Sequence, residues 1–250
     1  MTTQQLSETT AIVTGASRGF GRGVAAALTQ AGARVVGVAR DAGALDEVRE
    51  QLGAAFTPVA ADAADPVVAG QLIDSYQPGV LVLNAGASPL SRPVHRHTWQ
   101  TFSRNWEVDV QHAFHWTREA LLQPLKPGST VIAVSSGAAL RGSPISGGYA
   151  GAKATIRFLT GYAAEESRRE GLGIRFISVL PDLTPETSLG RPAVAAYAAR
   201  EGVDVATFLA NRPPALSPGQ AGREIVTLIT DPGHSDGAYL VGAAGLTPAP

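Results

Sequence analysis

Tyr149 and Lys153, four residues apart, are the pair in this sequence best suited to moving a proton. At i and i+4 they share one face of a helix, one turn apart. An ammonium held beside a phenol favours the phenolate and so loosens a proton that ordinarily leaves at about pH 10. Such a phenol can protonate a nascent alkoxide during carbonyl reduction, or act as base in alcohol oxidation. Ser136 lies thirteen residues before Tyr149, just after an apolar run at 130–134. Its hydroxyl can donate to a substrate oxygen where negative charge develops, and Ser135 competes for that role on residue type alone.

A second constellation is Thr14-Gly15-Ala16-Ser17-Arg18-Gly19-Phe20-Gly21, between a short strand and a helix expected to begin near Gly21. Gly15 permits a tight turn, while Gly19 and Gly21 let backbone approach a pyrophosphate and the helix pack on the strand. The helix start then aims unpaired N–H groups and a partial positive charge at the phosphates. The spacing is G-x-x-x-G-x-G rather than G-x-G-x-x-G, so the glycines alone leave a ligand-free turn open.

The elements that must hold these residues alternate along the chain. β-branched runs occur at 11–13, 33–39, 56–60, 80–83, 130–134 and 174–180, separated by Ala-rich segments of helical spacing at 21–31, 45–52, 67–76, 99–125 and 149–170. Several runs are apolar throughout, as in strands covered on both faces. The pattern predicts an α/β fold, a doubly wound parallel sheet of Rossmann type with helices on both faces, and ligands at the carboxyl ends of the strands. Residues 1–250 read as one domain, and 183–218, long and rich in Ala and Pro, as a lid-like insertion. With 20 Lys+Arg against 21 Asp+Glu there is no basic excess for a nucleic acid, and 44% hydrophobic residues argue against disorder. The absence of Cys excludes disulfides, thiol nucleophiles and Cys-ligated zinc. No run approaches the length of a membrane span, and residues 1–8 lack a basic start and an apolar stretch, so a cytoplasmic protein is expected.

Taken in order, the Thr14–Gly21 motif, Asn84-Ala85-Gly86 after the fourth strand, Ser136 and Tyr149-x-x-x-Lys153 resemble the short-chain dehydrogenase/reductase superfamily, from Ala11 to about Leu240. The resemblance implies Tyr149 as acid/base, Ser136 as the carbonyl-orienting residue, and Lys153 bound to the nicotinamide ribose and tuning Tyr149. The family's thirteen-residue spacing favours Ser136 over Ser135. It further implies cofactor contacts from Gly15, Ser17, Arg18, Gly19, Phe20, Gly21, Asp62 (on adenine), Ala63, Asn84, Ala85, Gly86, Tyr149, Lys153, Pro181 and Thr184, with Thr187 as a second candidate for the carboxamide.

Two positions depart from the family pattern. Its fourth catalytic residue, an Asn about 27 residues before the Ser, is Asp109 here, which exchanges a donor–acceptor amide for an acceptor-only carboxylate. Asn105, one turn earlier, is a substitute about 6 Å away along the axis. The family's Pro-Gly is Pro181-Asp182. After the second strand, Ala39 stands at the family's acid position and Arg40 follows. With Arg18 in the glycine loop, this favours a 2′-phosphate and hence NADP(H), whereas the alternative has Asp41 on the ribose.

The expected function is NADP(H)-dependent reduction of a ketone or aldehyde to an alcohol, or the reverse. A dehydratase, isomerase or C=C reductase is the alternative, and a non-catalytic NADP(H)-binding sensor comes third. His95 and His97 are candidates for the pocket wall, while His112 and His115 lack the third ligand a metal needs, so no metal is expected. Trp99, Trp106, Phe114 and Trp116 read as an aromatic stripe fitting a homodimer or homotetramer, with core packing as the alternative.

Overall fold

Buried strands form where aliphatic residues run uninterrupted, and the computed structural model, which describes residues 6–234 and 237–250, contains them in that order. Residues 1–5, part of the stretch read as lacking a secretory signal, lie outside the described residues. The first half comprises β1 (Thr10–Thr14), α1 (Gly19–Gln30), β2 (Arg34–Ala39), α2 (Ala42–Leu52), β3 (Phe56–Ala60), α3 (Pro66–Tyr76) and β4 (Val80–Leu83). The second comprises α4 (Trp99–Asn105), α5 (Gln111–Leu122), β5 (Thr130–Val134), α6 (Ala138–Arg141), α7 (Gly147–Arg169), β6 (Arg175–Pro181), α8 (Gly190–Glu201), α9 (Val205–Ala210), α10 (Pro218–Thr230), β7 (Gly237–Gly242) and β8 (Gly245–Pro248).

The sheet order is β3-β2-β1-β4-β5-β6-β7-β8, with every pairing parallel except β7–β8. This is the doubly wound α/β architecture, and the order reverses between β1 and β4. Alternate residues of each strand feed opposite faces. Ala11, Val13, Val80 and Val82 pack with Val24 and Leu28 of α1, Leu45 of α2 and Ile225 of α10. Ile12, Leu81 and Leu83 pack with Ile73 of α3, Trp116 of α5 and Ala163 of α7. Both faces are dry, which is why the strands read as continuous apolar runs.

Three expectations are corrected. The single helix at 99–125 is instead α4, a π-helical turn at Trp106–Val110, and α5 ending at Leu122. The wider π turn re-aims the side chains that follow, and Gln123 leaves helical geometry because Pro124 disfavours it. The aromatic stripe is divided. Trp116 is fully buried and donates from Nε1 to the Ala63 carbonyl at 2.9 Å, whereas Trp99, Trp106 and Phe114 are exposed. α1 begins two residues before Gly21. No helix among the described residues is long and apolar enough to cross a membrane.

Candidate active site

The glycine turn is shaped by contacts rather than by flexibility alone. Gly15 has φ +67°, and its N–H donates to the Val38 carbonyl of β2 at 2.7 Å, turning the chain sharply over the sheet. Thr14 Oγ1 accepts from the N–H groups of Asn84 and Ala85, and Asn84 Nδ2 donates to the carbonyls of Thr14 and Gly15 at 3.0 and 3.3 Å. The exits of β1 and β4 are thus tied together at the switch point. α1 starts with no side-chain cap, so its first-turn N–H groups face the cleft as a donor set suited to phosphate oxygens. A Cβ on Gly21 would overlap the Gly15 carbonyl oxygen and lie 2.6 Å from Asn84 Nδ2. Gly21→Ala should therefore displace the turn and weaken dinucleotide affinity by about fivefold to a hundredfold in a calorimetric titration, since even modest core overpacking costs about 1–3 kcal/mol.

A cavity of 1040 Å³ lies along the carboxyl ends of the strands. Apart from Gly21, which packs beneath Gly15, and Asn105, the substitute considered for Asp109, the residues nominated above for cofactor or catalysis line it: the loop at one end, Asp62 and Ala63 beside it, and Ser136, Tyr149, Lys153 and Asp109 deeper in. Asp62 Oδ1 accepts from the Ala64 N–H at 3.0 Å. Arg18 and Arg40 are exposed on its wall, while the Asp41 carboxylate caps α2 through the Ala44 N–H at 3.1 Å. The 183–218 segment contributes α8, α9 and the preceding loop to the opposite wall. Thr184 and Thr187 are buried there, and their hydroxyls accept from the N–H groups of Glu186 and Gly190. Asp182 lines the mouth, 3.9 Å from Arg141 Nη2.

α7 brings Tyr149 and Lys153 onto one face, with the ammonium 5.7 Å from the phenol ring centre. Lys153 Nζ donates to the Val134 carbonyl at 3.1 Å and meets Asp109 Oδ2 at 3.2 Å. Burial alone would lower this ammonium's pKa, but Asp109 and, after it, Tyr149 outweigh burial and hold it above the ordinary lysine range. Ser135 is buried with its hydroxyl committed to the Lys153 carbonyl at 2.7 Å, whereas Ser136 is half-buried and its Oγ accepts from the Ala138 N–H at 3.2 Å. Asn105 does not take over from Asp109; its amide donates to the Ala87 carbonyl at 2.7 Å and toward Asp109. His95 and His97 line a neighbouring, smaller pocket that shares Pro144 and Arg200 with the main cavity. No three His, Asp or Glu residues converge as metal ligands among the described residues.

Sequence reasoning weighed His112 only as a metal ligand and missed its place in the cavity, which its i+3 spacing from Asp109 marks. It lines the cavity, is 1% exposed, and its Nε2 has no partner. Burial first, then the Lys153 cation, lower its pKa from 6.5 to about 3, against a hydrogen bond to the Ala85 backbone. The imidazole is neutral in the fold and must gain a proton on unfolding below about pH 6.5, so stability falls as pH falls from there toward 3. In denaturant titrations the slope of stability against pH between 5 and 6 should be shallower in His112→Leu by up to about 1.4 kcal/mol per unit. Identical slopes would contradict this.

A doubly wound sheet whose glycine-rich turn opens into a cleft holding Ser, Tyr and Lys defines a dinucleotide-dependent oxidoreductase class. The family model for short chain dehydrogenases matches residues 9–198, and the chain belongs to the short-chain dehydrogenase/reductase superfamily, whose members use a nicotinamide cofactor. It is 32% identical over 198 residues to an uncharacterised short-chain type dehydrogenase/reductase of Sinorhizobium fredii, covering 76% of this chain and 75% of that one. It is 33% identical over 159 residues to L-xylulose reductase of Homo sapiens, covering 62% and 64%. Its fold matches 3-ketoacyl-(acyl-carrier-protein) reductase of Brucella melitensis, solved with NADH, at a TM-score of 0.78 and 24% identity over 94% and 97% of the two chains.

Proposed function

We propose that this protein reduces a ketone or aldehyde to an alcohol with NADPH, or runs the reverse reaction. The observation that carries this reading is that Ser136, Tyr149 and Lys153 share one cavity with the uncapped start of α1. The dinucleotide would rest on Gly15, Ser17, Gly19 and Phe20 at its phosphates, on Asp62, Ala63, Asn84, Ala85 and Gly86 along its length, and on Lys153, Pro181 and Thr184 around the nicotinamide. When bound it supplies a hydride to the carbonyl carbon. Ser136 then donates a hydrogen bond to the carbonyl oxygen, Tyr149 transfers its proton to that oxygen as the alkoxide develops, and Lys153 holds the ribose and keeps a positive charge beside the phenol.

NADPH is favoured over NADH on three counts: Ala39 offers no acid to a ribose 2′-hydroxyl, Asp41 is engaged as a helix cap, and Arg18 and Arg40 have no carboxylate partner among the described residues. The reductase among the relatives supports carbonyl chemistry by likeness. We further infer that residues 1–250 form one domain with 183–218 as its lid. Exposed Phe114 on α5 and Phe158 and Tyr162 on α7 favour a homodimer or homotetramer, and a chain without Cys, and with no spanning helix among the described residues, fits the cytoplasm.

The test is transfer of label. NADPH deuterated at the transferring position should deliver deuterium to the carbinol carbon of the product. Conversion of a substrate without label transfer would overturn the reading in favour of dehydratase or isomerase chemistry.

A further inference from the structure

Deep in the cleft, the Asp109 carboxylate is 1% exposed and fully engaged. It meets the Lys153 ammonium at 3.2 Å, accepts from the Ala87 N–H at 2.7 Å, and receives the Asn105 amide at 3.4 and 3.5 Å. The seat is tailored to it: a Cβ on Gly86 would lie 2.8 Å from Oδ2, so the loop after β4 is bare where the carboxylate sits. The π turn at Trp106–Val110 carries Asp109. The charged and titratable groups facing this point are Lys153 and Tyr149 from α7 and His112 from α5, and the imidazole is neutral. β5 contributes only the Val134 carbonyl and α4 only an amide.

We infer that Asp109 is a positioning residue that offsets the Lys153 charge beside Tyr149, so that the site is poised for carbonyl reduction over alcohol oxidation. The physical reason is the sum of charges. Lys153 alone would present the phenolate with a full positive field, whereas Lys153 paired with Asp109 presents a weakened one. The inference rests on the proposed role of Tyr149. Reduction consumes the tyrosine proton: the hydride forms the new C–H bond, the carbonyl π pair takes the Tyr149 proton, and solvent returns one to the phenolate. Oxidation needs the phenolate at the outset, so it is the direction that an anion beside Lys153 handicaps.

The experiment is the pH dependence of kcat/KM for alcohol oxidation in the wild type and in Asp109→Asn, which keeps the shape and removes the charge. The alkaline limb should move down by about one pH unit in the variant, raising oxidation relative to reduction near neutrality about tenfold. A purely structural role would lower both directions and leave the limb in place. Tyr149→Phe separates the two readings. If it is inactive while the Asp109→Asn limb stays put or moves up, the role of Asp109 is overturned and the acid assignment stands; if it retains turnover, the acid assignment itself falls. Should Asp109→Asn not fold, Asp109→Ser reads the same limb, and failure of both to fold would make the carboxylate a determinant of the fold and overturn its role as a tuner.

Discussion

Replacing Tyr149 by Phe should leave NADPH binding within a few-fold of wild type and lower turnover by roughly 10²–10⁴, the usual contribution of a general acid. The phenol ring stays in the wall of the cavity, so its packing and the neighbouring Lys153–Asp109 pair are preserved. What is lost is the phenolic proton that the proposed acid role requires. On the proposed roles Ser136 does not replace it, because its Oγ accepts from the Ala138 N–H and lacks the Lys153 neighbour on the same helix face that Tyr149 has. Calorimetry and steady-state kinetics on the same preparation make the check. Unchanged turnover would remove the acid assignment; lost cofactor binding would make the phenol a cofactor contact first.

The double substitution Arg18→Ala, Arg40→Ala should weaken NADPH by about 10²-fold or more while leaving NADH nearly unchanged. Each charge-assisted hydrogen bond to the 2′-phosphate is worth about 1.5–3 kcal/mol, and both guanidinium groups stand on the cavity wall without a carboxylate partner among the described residues. NADH carries no phosphate at that position, so it has nothing to lose there. Equal losses for both cofactors would show that the arginines act on the fold or on the pyrophosphate, and equal wild-type dissociation constants would contradict the preference itself.

Much of this site was legible before the structure because its parts are short-range. The loop from Thr14 to Gly21 needs three glycines at fixed offsets, and Tyr149 and Lys153 need only one helical turn to share a face. The parallel strands were legible for the same reason, since 80–83 and 130–134 are apolar on both faces and could belong only to a covered sheet. What escaped depends on register and on distant partners. The π turn at Trp106–Val110 has no composition of its own, yet it decides that Trp116 enters the core while Phe114 faces outward. β7 and β8 escaped because Gly-rich ends around 237–245 mask two short runs that pair only once β6 is in place. The Asp109–Lys153 pair, 44 positions apart, follows from the family's helix path rather than from any local spacing. His95 and His97 look adjacent to the site in sequence, but the Thr101 hydroxyl and the Arg92 carbonyl hold His97 in the neighbouring pocket.

The most direct measurement is turnover by the wild-type enzyme of a panel of ketones and aldehydes with NADPH, followed at the nicotinamide absorbance, with NADH run in parallel. The expected result is substrate-dependent loss of reduced cofactor with at least one carbonyl, faster with NADPH than with NADH at subsaturating concentration, and an alcohol as product. Tight NADPH binding with no consumption across a broad panel would contradict an enzyme built around Tyr149 and would leave a dinucleotide-binding sensor as the better description.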